Sequence, residues 1–145
     1  MEKIKIIPIE MGSKQYEDEM KLRTEVLRKP LGLSYSAEDL IKEIDDIHLG
    51  AFIKNELVGC LLLRPQLYGV MKMRQVAVAE KFQGKKVGTK LVKFAEVLAK
   101  KMGYAKFELH SRESSITFYK ALGYEAYGEI FEEVMIPHQK MCKQL

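Results

Sequence analysis

A strand, a turn and a helix follow one another without a break over residues 76–91, and this run constrains the fold more than any other part of the chain. The β-branched residues Val76 and Val78 favour a strand that ends just before the turn. In the turn, Gly84 and Gly88 let the backbone approach a ligand that side chains would hold off. The first N–H groups of a helix lack intrahelical partners, and the helix dipole is positive at that end. The run is therefore suited to bind an anion such as a pyrophosphate.

The turn matches neither of two common phosphate-binding loops. The chain contains no G-x-x-x-x-G-K-S/T segment and no G-x-G-x-x-G segment followed by an acidic residue at the ribose distance. The turn instead resembles the acyl-CoA loop of the GNAT N-acetyltransferase superfamily, which is written Q/R-x-x-G-x-G/A. Gln83 and Gly88 occupy its outer positions, and Lys86 stands where the first of the paired glycines is expected. The alternative interpretation is an ordinary glycine-containing turn beside a solvated cluster of lysines.

Three further stretches resemble the same superfamily, in the order that the family requires. Residues 107–124 match its next block, which ends in the pattern F/L-Y-x-x-x-G-F/Y, here Phe118, Tyr119, Gly123 and Tyr124. Residues 136–141 resemble the IPH-x-x-M ending of a bacterial branch of small GNAT proteins, and residues 27–33 resemble its early segment. Because the matches span nearly the whole chain, it is identified as a member of this superfamily.

The resemblance implies an α/β (α+β) fold with a mixed, mostly antiparallel sheet that splays apart near its middle, flanked by helices on both faces. It also implies that acetyl-CoA, the acyl donor, lies in the splay. Strand residues would pair with the pantetheine, and N–H groups of the turn would hold the pyrophosphate. The implied cofactor-binding residues are Val76, Ala77, Val78, Gln83, Gly84, Lys85, Lys86, Val87, Gly88, Thr89 and Ser115.

The reaction implied is acetyl transfer from acetyl-CoA to a primary amine by direct attack on the thioester. Tyr119 matches the family's general acid, although a tyrosine on a helix is also common as a core aromatic. A phenol titrates near pH 10 and a thiol near 8.5, so full proton transfer to the leaving sulfur is uphill by about 2 kcal/mol. We therefore expect a hydrogen bond from Tyr119 to the sulfur.

The general base is less well defined. Many relatives use a Glu near the long central strand, but residues 73–75 contain no carboxylate. His110, at the end of its strand, is the preferred candidate because an imidazole titrates near neutral pH. His138 and a water molecule are the alternatives, and His48 gives no sign of chemistry.

The acceptor is expected to be a small-molecule or peptide amine. Neither nucleic acid nor a membrane is expected as a partner, and the chain could form a homodimer. Seven lysines and one carboxylate lie between residues 81 and 101, whereas residues 38–46 carry five carboxylates. This charge distribution suits a polyanionic cofactor at one end of the site and a cationic amine at the other. Two solvated helix faces of opposite charge would explain it as well.

Two other function classes stay open. One is a catalytically weak acyl-CoA-binding sensor or partner-binding module, favoured by the missing glycine at residue 86 and the missing carboxylate. The other is a nucleic-acid-binding protein, which ranks low because the basic residues lack clustered arginines and interleaved aromatics.

Composition favours one cytoplasmic domain over residues 1–145. Apolar residues form 47% of the chain and charged residues 30%, which is typical of globular proteins. The start of the sequence lacks the apolar run of a signal peptide. Cys60 and Cys142 are far apart and lack metal-ligand spacing, so no metal site is expected. Cys60 is predicted to be a buried thiol and Cys142 an exposed residue of the tail.

Apolar periodicity and turn residues predict the order of elements. Strands are expected over residues 4–9, 48–53, 57–63, 70–78 and 105–110 and around 124–127 and 132–136. Helices are expected over residues 16–28, 36–44, 88–102 and 114–121. Ser36 is expected to cap the second helix, whose inner face is Leu40, Ile41 and Ile44. The third helix should present an inner stripe of Leu91, Ala95, Leu98 and Met102.

Overall fold

The computed structural model describes residues 3–145; Met1 and Glu2, part of the start considered for a signal peptide, lie outside the described residues. The described part forms seven strands and four α-helices. The strands are β1 (Lys5–Pro8), β2 (Ile47–Ile53), β3 (Glu56–Pro65), β4 (Val70–Val78), β5 (Lys106–Arg112), β6 (Glu125–Glu133) and β7 (Ile136–Gln144). The helices are α1 (Lys14–Arg23), α2 (Ala37–Ile41), α3 (Val87–Lys101) and α4 (Ile116–Ala121).

The strands form one mixed sheet in the order β1-β2-β3-β4-β5-β7-β6. Neighbouring strands are antiparallel except β4 and β5, which run parallel. Along β3, Leu61 packs in the cluster that contains Leu91 of α3, while Cys60 packs with Leu22 of α1. Alternate residues of a strand face opposite sides, so helices cover both faces. The predicted mixed, mostly antiparallel architecture is confirmed.

The sheet splays open between β4 and β5. Their parallel pairing joins Val70–Met73 to Lys106–Leu109. Within the described residues, the remainder of β4 pairs only with β3, and the remainder of β5 pairs only with β7. The two strand ends are therefore free to diverge.

A β-bulge in β4 lies where the strands diverge. Gln75 and Val76 together oppose the single residue Leu61 of β3, and Gln75 has a φ of +54°. A bulge bends its strand and increases the local twist. The end of β4 therefore turns away from β5.

Helix α3 packs on the sheet through residues at helical spacing: Val87, Leu91, Val92, Ala95 and Ala99 are buried. Leu91 and Ala95 confirm the predicted stripe. Met102 does not, because the helix ends at Lys101 and the Met102 side chain is 46% exposed. The predicted stripe therefore extends one residue beyond the helix.

The N-terminus of α2 is capped as predicted. Ser36 Oγ accepts a hydrogen bond from the Asp39 N–H, and the Asp39 carboxylate accepts one from the Ser36 N–H. Of the predicted inner face, Leu40 is partly buried, but Ile41 and Ile44 are wrong because they are 64% and 55% exposed. With five residues, α2 is too short to present a periodic apolar face.

The C-terminal strands differ most from the prediction. A strand over residues 132–136 is wrong, because the chain reverses at Val134 and Met135, which both have positive φ. After this turn, β7 enters the sheet between β5 and β6. Cys142 is therefore a partly buried residue of β7 opposite Glu108, and not an exposed residue of the tail.

Cys60 and Cys142 are both free thiols, and Cys60 is fully buried as predicted. Within residues 3–145, no helix combines the length and the apolar character needed to cross a bilayer. In the same part of the chain, no group of three or more His, Cys, Asp or Glu side chains could hold a metal ion.

A buried network of four titratable side chains joins α1, the segment after α2, and β2. Arg23 donates to both carboxylate oxygens of Glu43 at 2.8 and 2.6 Å and to Glu19 Oε2 at 2.9 Å. His48 Nδ1 lies 2.9 Å from Glu19 Oε2, and Nε2 lies 3.1 Å from the Glu43 carbonyl oxygen. Burial lowers the pKa of His48, but the hydrogen bonds and the charge of Glu19 outweigh burial and raise it.

The free energy of unfolding should fall as the pH rises through the pKa of folded His48. The folded chain binds this proton more tightly than the unfolded chain, so the contribution is complete below about pH 6.5 and is lost above it. One proton gives a slope of at most about 1.4 kcal/mol per pH unit. Denaturant titrations over a pH series should show the decline in the parent and a weaker one in His48→Gln. An identical decline in both would contradict this role.

Candidate active site

The splay between β4 and β5 opens into a cavity of about 630 Å³. Its walls come from the ends of β4 and β5, the loop before α3, α4, the segment after α1 and the β6–β7 hairpin. Of the predicted site residues, all but Lys85 line it: Tyr119, His110, Val76, Ala77, Val78, Gln83, Gly84, Lys86, Val87, Gly88, Thr89 and Ser115. Lys85 instead places its Nζ 5.7 Å from the Phe82 ring.

The loop before α3 has a left-handed backbone at Gly84 and at Lys86, with φ of +76° and +68°. Glycine adopts this conformation freely, whereas a residue with a Cβ does so at a cost of about 1–2 kcal/mol. Lys86 thus takes up the conformation that favours a glycine. Gln83 Nε2 donates to the Val78 carbonyl at 3.0 Å, which ties the loop to the end of β4.

The N-terminus of α3 faces the cavity. Lys86 is its N-cap residue, and among the described residues no side chain accepts a capping hydrogen bond there. The N–H of Lys90 donates to the Lys86 carbonyl, so the N–H groups of Val87–Thr89 precede the first intrahelical bond. The first turn also carries no acidic residue. These N–H groups and the helix dipole form a site for an anion.

Tyr119 lies on α4 and is 6% exposed. Its ring contacts Phe118 and Tyr124 edge to face, with centroids 5.0 and 5.6 Å away. Burial raises the pKa of the Tyr119 phenol, so the hydroxyl stays protonated at neutral pH. It can donate a hydrogen bond to a thiolate but releases its proton less readily than a solvated phenol.

Glu133, at the end of β6, connects two histidines on the cavity wall. Its Oε1 lies 2.9 Å from His110 Nδ1, and its Oε2 lies 3.7 Å from His138 Nε2. Burial raises the pKa of Glu133, but the hydrogen bond from His110 and the charges of both histidines and of Lys72 outweigh burial and lower it. An ionised carboxylate only accepts hydrogen bonds. His110 Nδ1 therefore carries a hydrogen, and in the neutral tautomer with this bond Nε2 holds the lone pair.

Glu133 is the carboxylate on the cavity wall that the sequence analysis missed. The β6–β7 hairpin carries it across to β5, and the Phe131 ring packs between the two imidazoles at 5.1 and 6.0 Å. The alternation of Phe131 and Glu133 along β6 was the one available signal. His138, an alternative base in the sequence, donates from Nδ1 to the Ile136 carbonyl at 2.9 Å.

The acidic segment before β2 does not contribute to the cavity wall. Glu43 binds Arg23, and Asp46 accepts two hydrogen bonds from Arg64 at 2.8 and 2.9 Å. Among the described residues that line the cavity, Glu133 is the one carboxylate. The expected acidic pole for a cationic amine is therefore not formed by this segment.

Comparison with known proteins gives one family and several relatives. The model described as the acetyltransferase (GNAT) family matches residues 14–124. A proposed N-acetyltransferase from Lactobacillus plantarum is 25% identical, with a TM-score of 0.87 and 98% of each chain covered. A GNAT family acetyltransferase from Elizabethkingia anophelis, crystallised with acetyl-CoA bound, is 25% identical, with a TM-score of 0.73 and 98% of each chain covered. The uncharacterized protein YyaT of Bacillus subtilis (strain 168) is 26% identical over 99 residues, which are 68% of this chain and 66% of the length of that relative.

Gly88→Glu should abolish binding of free CoA, whereas Lys86→Gly should preserve or strengthen it. A Cβ at Gly88 would lie 3.3 Å from Phe118 Cζ, and the added carboxylate would repel a phosphate. Glycine at position 86 removes the left-handed strain and should raise the free energy of unfolding by about 1 kcal/mol. Isothermal titration calorimetry measures the affinity, and denaturant titration measures the stability.

Lys85→Gly is the matched control for Lys86→Gly. Lys85 has no positive φ and does not line the cavity, so its replacement removes the same charge without relieving strain. It should not raise the stability. Equal CoA affinity in the parent, Gly88→Glu and Lys86→Gly would show that phosphate does not bind at this loop.

Proposed function

The chain belongs to the acetyltransferase (GNAT) family, whose model spans residues 14–124, and we propose that it transfers the acetyl group of acetyl-CoA to a primary amine by direct attack. The observation that carries the proposal is the uncapped N-terminus of α3, which faces the cavity opened by the splay. The relative crystallised with acetyl-CoA supports the choice of donor. The proposal treats residues 1–145 as one GNAT domain that acts in the cytoplasm.

Acetyl-CoA would lie along the open edge of β4. In the described part of the chain, the backbone groups on this edge have no strand partner beyond Met73. The extended pantetheine can pair with them as an added strand would, over Val76–Val78. The pyrophosphate would then reach the N–H groups of Val87–Thr89, and Ser115 also lines the cavity.

In the reaction, the amine nitrogen attacks the thioester carbonyl, the C–N bond forms, and the C–S bond breaks as the oxyanion collapses. A backbone N–H of β4 near Val78 would hold the oxyanion, because a fixed dipole needs little reorganisation. His110 Nε2 would take the amine proton, while Glu133 fixes the tautomer and stabilises the imidazolium. Tyr119 would donate a hydrogen bond to the departing thiolate.

A catalytically weak acyl-CoA-binding module has less support. The sequence favoured it through a missing loop glycine and a missing carboxylate. Lys86 adopts the left-handed backbone of the missing glycine, and Glu133 brings a carboxylate to the cavity wall. Neither feature therefore argues against turnover.

Thiol release from acetyl-CoA with a panel of primary amines tests the proposal. Tyr119→Phe should lower kcat by about 10²–10⁴ and leave acetyl-CoA affinity nearly unchanged, because only the hydroxyl is lost. Tyr104→Phe is the matched control: it removes a hydroxyl from a partly buried residue outside the cavity and should keep full activity. Unchanged single-turnover rates in Tyr119→Phe would show that the Tyr119 hydroxyl does not assist the departure of the thiolate. Absence of thiol release with every amine would contradict the proposed function.

The acid limb of the pH–rate profile should depend on His110. A protonated imidazole cannot accept a proton, so kcat/KM should fall at low pH in the parent and lose this dependence in His110→Gln.

Glu133→Gln should lower kcat by about 10²–10⁴, because an amide can donate to Nδ1 of His110 and select the wrong tautomer. Glu132→Gln, at an exposed neighbouring position, is the matched control.

The pH–rate profile should be measured with an acceptor amine of low pKa, so that the ionisation of the amine itself lies outside the measured pH range. If His110→Gln retains the acid limb, the base is His138 or water. An unchanged rate in Glu133→Gln would remove that carboxylate from the mechanism.

A further inference from the structure

Positive side chains dominate the cavity wall. Arg28, Arg74, Arg112 and Lys86 line it, and Glu133 is the one carboxylate among the described lining residues. Arg74 Nη1 also lies 3.6 Å from Asp46 Oδ2, behind the wall, so the other three carry the excess positive charge. A polyamine or another cationic acceptor would meet net repulsion there. The wall favours a ligand with negative charge beyond that of the cofactor.

Arg28 and Arg112 converge on one carbonyl oxygen. Arg112 Nη2 donates to the Leu27 oxygen at 2.7 Å, and Arg28 Nη1 lies 3.3 Å from the same atom. In the described part of the chain, neither guanidinium has a carboxylate at ion-pair distance, whereas Arg23 and Arg64 each bind one. Burial and the neighbouring charge of Arg28 lower the pKa of Arg112. Two guanidinium groups held together with no carboxylate at ion-pair distance can bind a carboxylate or a phosphate.

Tyr35 holds Arg28 in this position. Its ring lies between the guanidinium groups of Arg23 and Arg28, each 4.6 Å from the ring centroid. Its hydroxyl donates to Gln75 Oε1 at 2.6 Å, at the bulge of β4. The Arg28 side chain is thus ordered before a ligand arrives, which lowers the entropic cost of binding.

The arginine pair lies beside the proposed base. Arg112 follows His110 by two residues on β5, so both side chains leave the same face, and Arg112 is opposite His138 of β7. On the basis of the proposed function, we propose that the acceptor is a small primary amine that carries a carboxylate or a phosphate. Arg28 and Arg112 bind the anionic group while the amine reaches His110.

Matched pairs of amines test this inference by thiol release from acetyl-CoA. One arm compares glycine, β-alanine and γ-aminobutyrate with their amides; the other compares phosphoethanolamine with ethanolamine. The two arms separate a carboxylate from a phosphate. In at least one arm, the anionic amine should have a kcat/KM roughly tenfold to hundredfold above that of its neutral partner, because hydrogen bonds to charged groups are the stronger ones.

Arg28→Gln and Arg112→Gln should reduce this ratio to near one, mainly through a higher KM for the anionic amine. Lys101→Gln removes a charge from the exposed end of α3 and should keep the ratio, as the matched control. Circular dichroism checks the fold of each variant. Because Arg28 also stacks on Tyr35, Arg112→Lys provides a second test: it keeps the charge, loses the planar fork and should retain part of the ratio.

The outcomes separate this inference from the proposed function. Equal kcat/KM for both members of every pair, or a preference that survives in both glutamine variants, would overturn the inference and leave acetyl transfer standing. If those variants also lose affinity for free CoA to the same extent, the arginine pair binds the cofactor and not the acceptor. That result would overturn the inference as well. Thiol release with neutral amines but with none of the anionic amines would overturn the inference alone. Absence of thiol release with every amine would contradict the proposed function itself.

Discussion

The bulge in β4 is the feature on which the whole cavity depends. Gln75 and Val76 oppose one residue of β3, and β4 bends away from β5 just after their pairing ends at Met73 and Leu109. A strand edge without a partner leaves N–H and C=O groups that need water or a ligand. Here that edge faces the cavity, so an extended ligand with amide groups would offset the interruption of the sheet.

A buried charge network supports the bulge from the α1 side. Tyr35 donates to Gln75 at 2.6 Å, and Arg23 stacks on the Tyr35 ring while it binds Glu19 and Glu43. Breaking a buried ion pair by removing one partner typically costs about 3–5 kcal/mol, because the other charge is left uncompensated. The same tyrosine ring also orders Arg28 on the cavity wall. The stability of the fold and the shape of the acceptor side therefore rest on shared contacts.

The cavity wall on which we propose that the cofactor binds could be predicted because its signals are local. Residues 76–89 are continuous, and the strand, the turn and the helix start each have their own residue preferences; the departure at Lys86 is explained by one left-handed φ. The acceptor side could not be predicted, because Glu133 and Arg112 come together only when β7 inserts between β5 and β6. The expected strand over residues 132–136 placed Glu133 inside a strand instead of at a hairpin end, and this error hid the carboxylate.

The two sides of the cavity offer different donors to a negative charge, and the difference bears on selectivity. At α3 the donors are backbone N–H groups, which do not depend on side-chain identity, so a lysine is tolerated at position 86. On the acceptor side the donors are planar guanidinium groups, which favour one anion at a set position. Arg112 and His110 are two residues apart on one strand, and their Cα atoms are thus about 6–7 Å apart. An acceptor that satisfies both must separate its amine from its anion by a short spacer, so spacing as well as charge would select the substrate.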